Sequence, residues 1–178
     1  VFITNDHGEK LPTHYRPGEF MPGDDTIYDE WLIDYHETNW QSLDQIRSMQ
    51  LLFQNYQGER TDEEVYRAEV ALAELAEPLG FDALWGVEHH FYDYSMLPDN
   101  TQFLSYMAAK TSTIKLGTAA VILPWNDPLR VAEKMALLDH LSNGRAVYGM
   151  GRGLARGEYD AFNIDMNTTR ERFDESAR

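Results

Sequence analysis

A Glu-His-His-Phe tetrapeptide, residues 88–91, could carry proton chemistry. It directly follows Phe81–Val87, an apolar segment that is typical of a buried β-strand. Parallel α/β folds bind ligands at the carboxyl ends of their strands, and histidine titrates near neutral pH. His89 and His90 could therefore act as an acid/base pair. A structural histidine pair remains an alternative, and a metal site has weak support because no H-x-H or H-x-x-x-H spacing occurs.

A second candidate site is a group of arginines near the glycine-rich run Gly149–Gly157. Its members are Arg152, Arg156, Arg170 and Arg172. Glycine permits close backbone approach and guanidinium groups pair with phosphate oxygens, so this region could bind a phosphate. Solvated surface arginines are the alternative. The run does not fit the dinucleotide fingerprint G-x-G-x-x-G, because Leu154 or Arg156 stands where its third glycine belongs.

The elements that must position these residues repeat along the chain. Strand-like segments begin near residues 49, 81, 114 and 146, at intervals of 32 or 33 residues. We predict strands at about 49–55, 82–87, 115–123 and 146–151. One βα unit has this length, which indicates a parallel sheet, either doubly wound or closed as a (β/α)8 barrel. A complete barrel takes about 250 residues, so we expect four units, the N-terminal half of a barrel, over residues 49–178.

Helix signals fall between these strands. Thr61–Glu64 forms a capping box before an amphipathic pattern that includes Leu72, Leu75 and Leu79. Another helix is predicted near 101–111, and a third begins at Asp127-Pro128, with Leu138 and Leu141 on its inner face. A second capping box, Thr168–Glu171, predicts the last helix. The third helix is also apolar at Ala136 and Leu137 on its other side, which favours a dimer, with burial under the chain's own N-terminal extension as the alternative.

Composition limits the possible partners. The 178 residues include 15 Lys+Arg and 30 Asp+Glu, a formal net charge of −15, which argues against nucleic-acid binding. Residues 1–89 carry 5 basic and 19 acidic side chains, whereas 90–178 carry 10 and 11, so an anionic ligand belongs to the second half. Cysteine is absent, which excludes disulfides and thiolate sites. The longest apolar stretch, Leu116–Trp125, is shorter than the roughly 20 residues that span a membrane.

The start of the chain has a different character from the rest. Residues 1–48 are acidic and contain a Pro- and Gly-rich stretch, so we interpret them as an N-terminal extension. No secretory signal pattern is visible in the first residues, and we expect a cytoplasmic protein with no membrane contact.

Residues 49–178 resemble the bacterial luciferase-like flavin-dependent monooxygenases, most of all the alpha subunits of that family. The shared segments, in family order, are FDALWGVEHHF (81–91), KLGTAAVILP (115–124), PLRVAEKMALLDHLSNGR (128–145), GMGRGL (149–154) and FNIDMNTTR (162–170). The resemblance implies a (β/α)8 TIM barrel that binds reduced FMN at the carboxyl ends of its strands. It also implies an O2-dependent oxidation of a small organic substrate, such as an aldehyde.

The resemblance also implies roles for particular residues. His89 corresponds to the catalytic histidine, with His90 and Glu88 as its neighbours in the site. Ala119 and Ala120 correspond to two residues that flank a non-prolyl cis peptide beneath the flavin ring. Arg152 and Arg170 correspond to the phosphate-binding arginines. Trp125 stands where the family has a smaller residue, which should reshape the substrate entrance.

Partners follow from the same resemblance. A separate flavin reductase would supply the reduced FMN, and the protein would form a homo- or heterodimer. Two alternatives stay open: a deazaflavin-dependent oxidoreductase on the same barrel, and a non-catalytic subunit that supports a partner. A flavin-binding screen would separate the first from the monooxygenase. The Glu-His-His-Phe segment argues against the second, since a purely supporting subunit needs no acid/base pair.

Overall fold

Parallel strands in sequential order form the sheet. In the computed structural model, which describes residues 48–55, 58 and 60–178, six short strands, β1–β6, occupy Ser48–Leu51, Ala83–Gly86, Lys115–Thr118, Val121–Ile122, Ala146–Val147 and Met150–Gly151. β1, β2, β3 and β5 form one parallel sheet in that order, and β4 pairs with β6 in parallel. In a doubly wound sheet the spatial order of the strands would not follow their order in the chain, because the order reverses at a switch point. The order is that of a (β/α)8 barrel, as predicted.

The helices lie between these strands, and two of them begin at the predicted caps Thr61 and Asp127. The described helices α1–α5 are Asp62–Ala76, Asn100–Lys110, Pro128–Ser142, Arg156–Ala161 and Thr169–Ser176, with 3-10 turns at Leu123–Trp125 and Met166–Thr168. The side chains of Thr61, Asp99 and Asp127 cap α1, α2 and α3, and the capping box at Thr61 is complete. These local hydrogen bonds satisfy amides that have no partner within the helix.

The predicted capping box at Thr168 is wrong. Thr168 closes the second 3-10 turn, where its hydroxyl donates to the Asp165 carbonyl at 2.8 Å. Its side chain makes no capping bond to α5. Asp165 instead caps this turn through the amide of Asn167, because the chain tightens there before α5 begins.

Two predicted strands are each interrupted near the middle. The segment 115–123 breaks at Ala119–Ala120, and the segment 146–151 breaks at Tyr148-Gly149. At this level the Thr118 hydroxyl donates to the Gly149 carbonyl at 2.8 Å, and the Gly149 amide donates back to that hydroxyl at 2.9 Å. Side-chain hydrogen bonds therefore replace backbone pairing at the break. A Cβ on Gly149 would lie 2.1 Å from the Thr118 carbonyl oxygen, so this close approach requires glycine.

The core lies between the sheet and its helices, and includes Leu84, Leu104, Leu116 and Leu138. Several predicted core positions are not buried. On α1 the buried residues are Val65, Ala73 and Ala76, whereas Leu72 and Leu75 are about half exposed. Leu79, which lies beyond the end of α1, is 66 % exposed. α1 packs through its smaller side chains, and Leu72 borders a surface groove beside the edge strand β1.

The helix α3 follows its predicted pattern only in part. Val131, Met135 and Leu138 are buried, but Leu141 is 54 % exposed, which corrects its placement on the inner face. Ala136 and Leu137 are also exposed, as a partner-facing surface would require. The dimer itself stays a prediction.

The described residues begin at Ser48. The predicted extension over 1–48 therefore lies outside them, except for Ser48, which begins β1. None of the described helices combines the length and the apolar character needed to cross a membrane.

Candidate active site

Glu88 lies two residues beyond β2 and is 5 % exposed. Its Oε2 accepts a hydrogen bond from the Ile122 amide at 2.9 Å. Its Oε1 accepts from Trp125 Nε1 at 2.7 Å and from Asn126 Nδ2 at 2.9 Å, and lies 3.3 Å from His90 Nε2. Glu88 thus joins the end of β2 to the segment that follows β4. Protein donors therefore occupy both carboxylate oxygens. A contact between Glu88 and a cofactor stays a prediction.

The two histidines are held in different ways. His89 places Nδ1 3.1 Å from Oε1 of Glu158, and its ring meets Tyr94 edge-on at 5.0 Å. His90 donates its backbone amide to the same Glu158 oxygen at 2.7 Å. Aromatic rings surround the His90 ring, namely Phe91, Trp125 and Phe162, with centroids 4.8–6.0 Å away. Both imidazoles are largely buried, with 18 % and 13 % of their side-chain surfaces exposed.

The carboxyl end of β3 carries the cis peptide that the resemblance implied. The bond between Ala119 and Ala120 is cis, which confirms that expectation. The Ala119 amide donates to the Gly86 carbonyl at 2.8 Å, so the bond lies beside the end of β2. Both alanines are partly exposed. Their side chains are single methyl groups, so a flat ring could lie against the backbone between β3 and β4.

The predicted phosphate arginines occupy the following segments. Arg152 comes directly after β6, and Arg170 lies in the first turn of α5. Both are exposed, and neither guanidinium group makes a hydrogen bond or ion pair with any described residue. Arg172 differs, because its Nε donates to the Pro124 carbonyl at 3.1 Å. Arg152 and Arg170 therefore have donors available for a ligand, whereas Arg172 joins α5 to the first 3-10 turn.

The glycines of the run 149–157 accommodate protein groups. A Cβ on Gly153 would lie 2.7 Å from the Trp125 ring, and one on Gly157 would lie 1.8 Å from the Tyr92 hydroxyl. The predicted close backbone approach is therefore present. In the structure it brings the aromatic side chains of Trp125 and Tyr92 against the backbone.

The residues between this run and α5 include a site residue that sequence analysis did not identify. Glu158 lies on α4, is 1 % exposed, and contacts both histidine residues. The neighbouring Tyr159 is equally buried and donates its hydroxyl to the Arg152 carbonyl. Burial raises the pKa of Tyr159, although Thr169 and Arg152 act in the opposite direction. Glu158 lies 69 residues from His89, and a lone glutamate on a six-residue helix gives no spacing signal.

The fold resembles those of solved monooxygenases. The monooxygenase RslO1 from Streptomyces bottropensis has 36 % sequence identity and a TM-score of 0.69, over 73 % of this chain and 40 % of that chain. The oxygenating constituent of 3,6-diketocamphane monooxygenase from Pseudomonas putida, solved in complex with FMN, has a TM-score of 0.67 over 74 % of this chain and 37 % of that chain. Its sequence identity is 19 %, so this second likeness shows the fold alone.

Curated relatives point the same way. The alkanal monooxygenase alpha chain of Photorhabdus laumondii is 37 % identical over 107 residues, 60 % of this chain and 30 % of that protein. Limonene 1,2-monooxygenase of Rhodococcus erythropolis is 34 % identical over 108 residues, 61 % of this chain and 28 % of that protein. The chain thus spans about a third of the length of these relatives. The luciferase-like monooxygenase family profile matches residues 47–178, so the chain belongs to the luciferase-like monooxygenase family.

Proposed function

We propose that this chain forms part of an FMN-dependent monooxygenase that uses O2 to oxidise a small organic substrate. The observation that carries the proposal is that His89, the Ala119–Ala120 pair and the exposed Arg152 follow the carboxyl ends of β2, β3 and β6. Parallel α/β barrels bind their ligands at the carboxyl ends of the strands.

The residues present fit FMN at two points. Arg152 and Arg170 have guanidinium groups free to pair with a dianionic phosphate, and they lie in the half of the chain that is not strongly acidic. Ala119 and Ala120 leave room for a flat ring above the backbone. When bound, reduced FMN supplies the electrons that activate O2. The protein's own task is to orient the flavin and to manage protons beside it.

His89 suits proton transfer better than His90. Its Nδ1 faces Glu158, and its Nε2 has no hydrogen-bond partner among the described residues. His90 lies 3.3 Å from Glu88 through Nε2 and packs among three aromatic rings. We therefore assign the acid/base role to His89 and a supporting role to His90.

The relatives support the type of substrate. Alkanal monooxygenase is named for an aldehyde substrate and limonene 1,2-monooxygenase for a small hydrocarbon. We propose a small apolar substrate of this kind, an aldehyde or similar. We further propose that a separate reductase delivers the reduced FMN and that the enzyme acts as a homo- or heterodimer.

Phosphate recognition tests the flavin site directly. Arg152→Ala should weaken FMN binding by about 1.5–3 kcal/mol, the range for a hydrogen bond to a charged group, and should leave riboflavin binding nearly unchanged. Quenching of flavin fluorescence measures both affinities. The control is Lys110→Ala, which removes one positive charge at the far end of α2, where Lys110 pairs with Glu74.

Two outcomes would contradict the proposal. Equal losses for FMN and riboflavin would assign Arg152 to the fold and not to the phosphate. No binding of either flavin by the unmodified chain would refute a flavin site formed by these residues alone.

A further inference from the structure

We propose that Glu158 is a positioning residue for His89. Its buried carboxylate keeps the neutral His89 imidazole protonated at Nδ1, which leaves Nε2 as the hydrogen-bond acceptor. The catalytic use of that acceptor rests on the proposed function. The position of the proton on the ring is independent of the proposed function, because it follows from contacts within this chain.

The hydrogen-bonding chemistry of the two groups gives the direction of the contact. Oε1 of Glu158 accepts the His90 amide at 2.7 Å, and a backbone N–H can only donate. The same oxygen lies 3.1 Å from His89 Nδ1. An ionised carboxylate has only acceptors, so the proton of this contact belongs to Nδ1. In a neutral imidazole the other nitrogen, Nε2, then carries the lone pair.

The geometry of Glu158 is fixed by its surroundings. The side chain is 1 % exposed, so water does not compete for the carboxylate. The next residue, Tyr159, anchors α4 through its hydroxyl bond to the Arg152 carbonyl. On the other side, the His89 amide donates to the Leu97 carbonyl at 3.1 Å, which fixes the backbone of the histidine. Both partners are therefore held before any ligand binds, as preorganised sites require.

The neighbouring pair has the opposite arrangement. Glu88 lies 3.3 Å from Nε2 of His90, whereas Glu158 contacts Nδ1 of His89. Two adjacent histidines thus face their glutamates through different ring nitrogens. Only His89 combines a carboxylate at Nδ1 with an Nε2 that no described residue engages. This asymmetry explains why a general base would be formed at His89 and not at His90.

The test reads the protonation of the ring without flavin or substrate. Two-dimensional proton–nitrogen spectra of the 15N-labelled full chain, at alkaline pH where imidazoles are neutral, report which ring nitrogen carries the proton. His89→Asn assigns the His89 signals. The unmodified chain should show His89 mainly as the Nδ1–H form. In Glu158→Gln the Nδ1–H to Nε2–H ratio should fall roughly fivefold, because the bond to a charged acceptor becomes a neutral one.

A matched control separates positioning from folding. Glu77→Gln removes another carboxylate that holds backbone amides, those of Ser112, Thr113 and Ile114, at the opposite end of β3. It should reduce stability and leave the His89 ratio unchanged. A dominant Nε2–H form in the unmodified chain, or the same ratio in Glu158→Gln, would overturn the inference. If Glu158→Gln does not fold, the spectrum of the unmodified chain still decides, and failure of FMN binding would refute the proposed function alone.

Discussion

Replacing Glu88 with glutamine should destabilise the fold although the two side chains have the same shape. Both Glu88 oxygens face donors: Oε2 meets the Ile122 amide, and Oε1 meets Trp125 Nε1 and Asn126 Nδ2. The glutamine NH2 group must take the place of one oxygen. In either orientation it then points a donor at a donor. The better orientation keeps the carbonyl at the Oε1 position and leaves the Ile122 amide without its partner.

The magnitude follows from these contacts. A buried donor left unpaired costs about 1–3 kcal/mol, and each remaining bond loses about 1 kcal/mol when its charged acceptor becomes neutral. Two effects reduce the total. The variant recovers part of the desolvation cost of a buried charge. A cavity of about 20 Å³ that borders Glu88 and Asn126 is also large enough for one water molecule, which could satisfy a freed donor. We therefore expect a loss of about 2–3 kcal/mol in unfolding free energy.

Urea unfolding followed by far-ultraviolet circular dichroism and tryptophan fluorescence would measure this loss. The control is Glu63→Gln, whose side chain is 71 % exposed and pairs with Arg67 on the surface of α1. A surface pair contributes little, so the control should change stability by less than about 0.5 kcal/mol. If Glu88→Gln unfolds at the same urea concentration as the control, the Glu88 hydrogen bonds do not stabilise the fold.

Two further predictions concern acid stability and the strand break. Burial raises the pKa of Glu77, but amide donors from Ser112, Thr113 and Ile114 outweigh it and hold the pKa below its ordinary 4.5. The stabilisation that ionised Glu77 provides should therefore be complete above pH 4.5 and be lost as the pH falls through the lowered folded-state pKa. Urea unfolding at a series of pH values should show that the difference in unfolding free energy between the unmodified chain and Glu77→Gln shrinks in that pH range. Gly149→Ala would place a Cβ 2.1 Å from the Thr118 carbonyl oxygen and should lower the unfolding free energy by about 1–3 kcal/mol. An unchanged thermal midpoint would mean that the two backbone segments move apart without loss of stability.

Local signals in the sequence determined the element positions. The capping residues Thr61 and Asp127 act on amides three residues away, so their neighbours in sequence suffice to place the starts of α1 and α3. The βα repeat likewise predicted a parallel sheet in sequential order, since each crossover has the length of one unit. The cis bond at Ala119–Ala120 came from the resemblance, because no local preference of two alanines indicates it.

Only the tertiary structure decided which side chains cooperate. Glu158 meets His89 across 69 residues, and the Thr118–Gly149 contact that interrupts the strands spans 31. Neither pairing is marked by a recognisable motif in the sequence, because each depends on how the packing of whole helices and strands places two distant backbone segments. The same holds for Leu72 on α1, whose helical periodicity predicts burial although packing leaves it half exposed. Residue type and period determine what a segment can form, and long-range packing determines which polar groups are buried together.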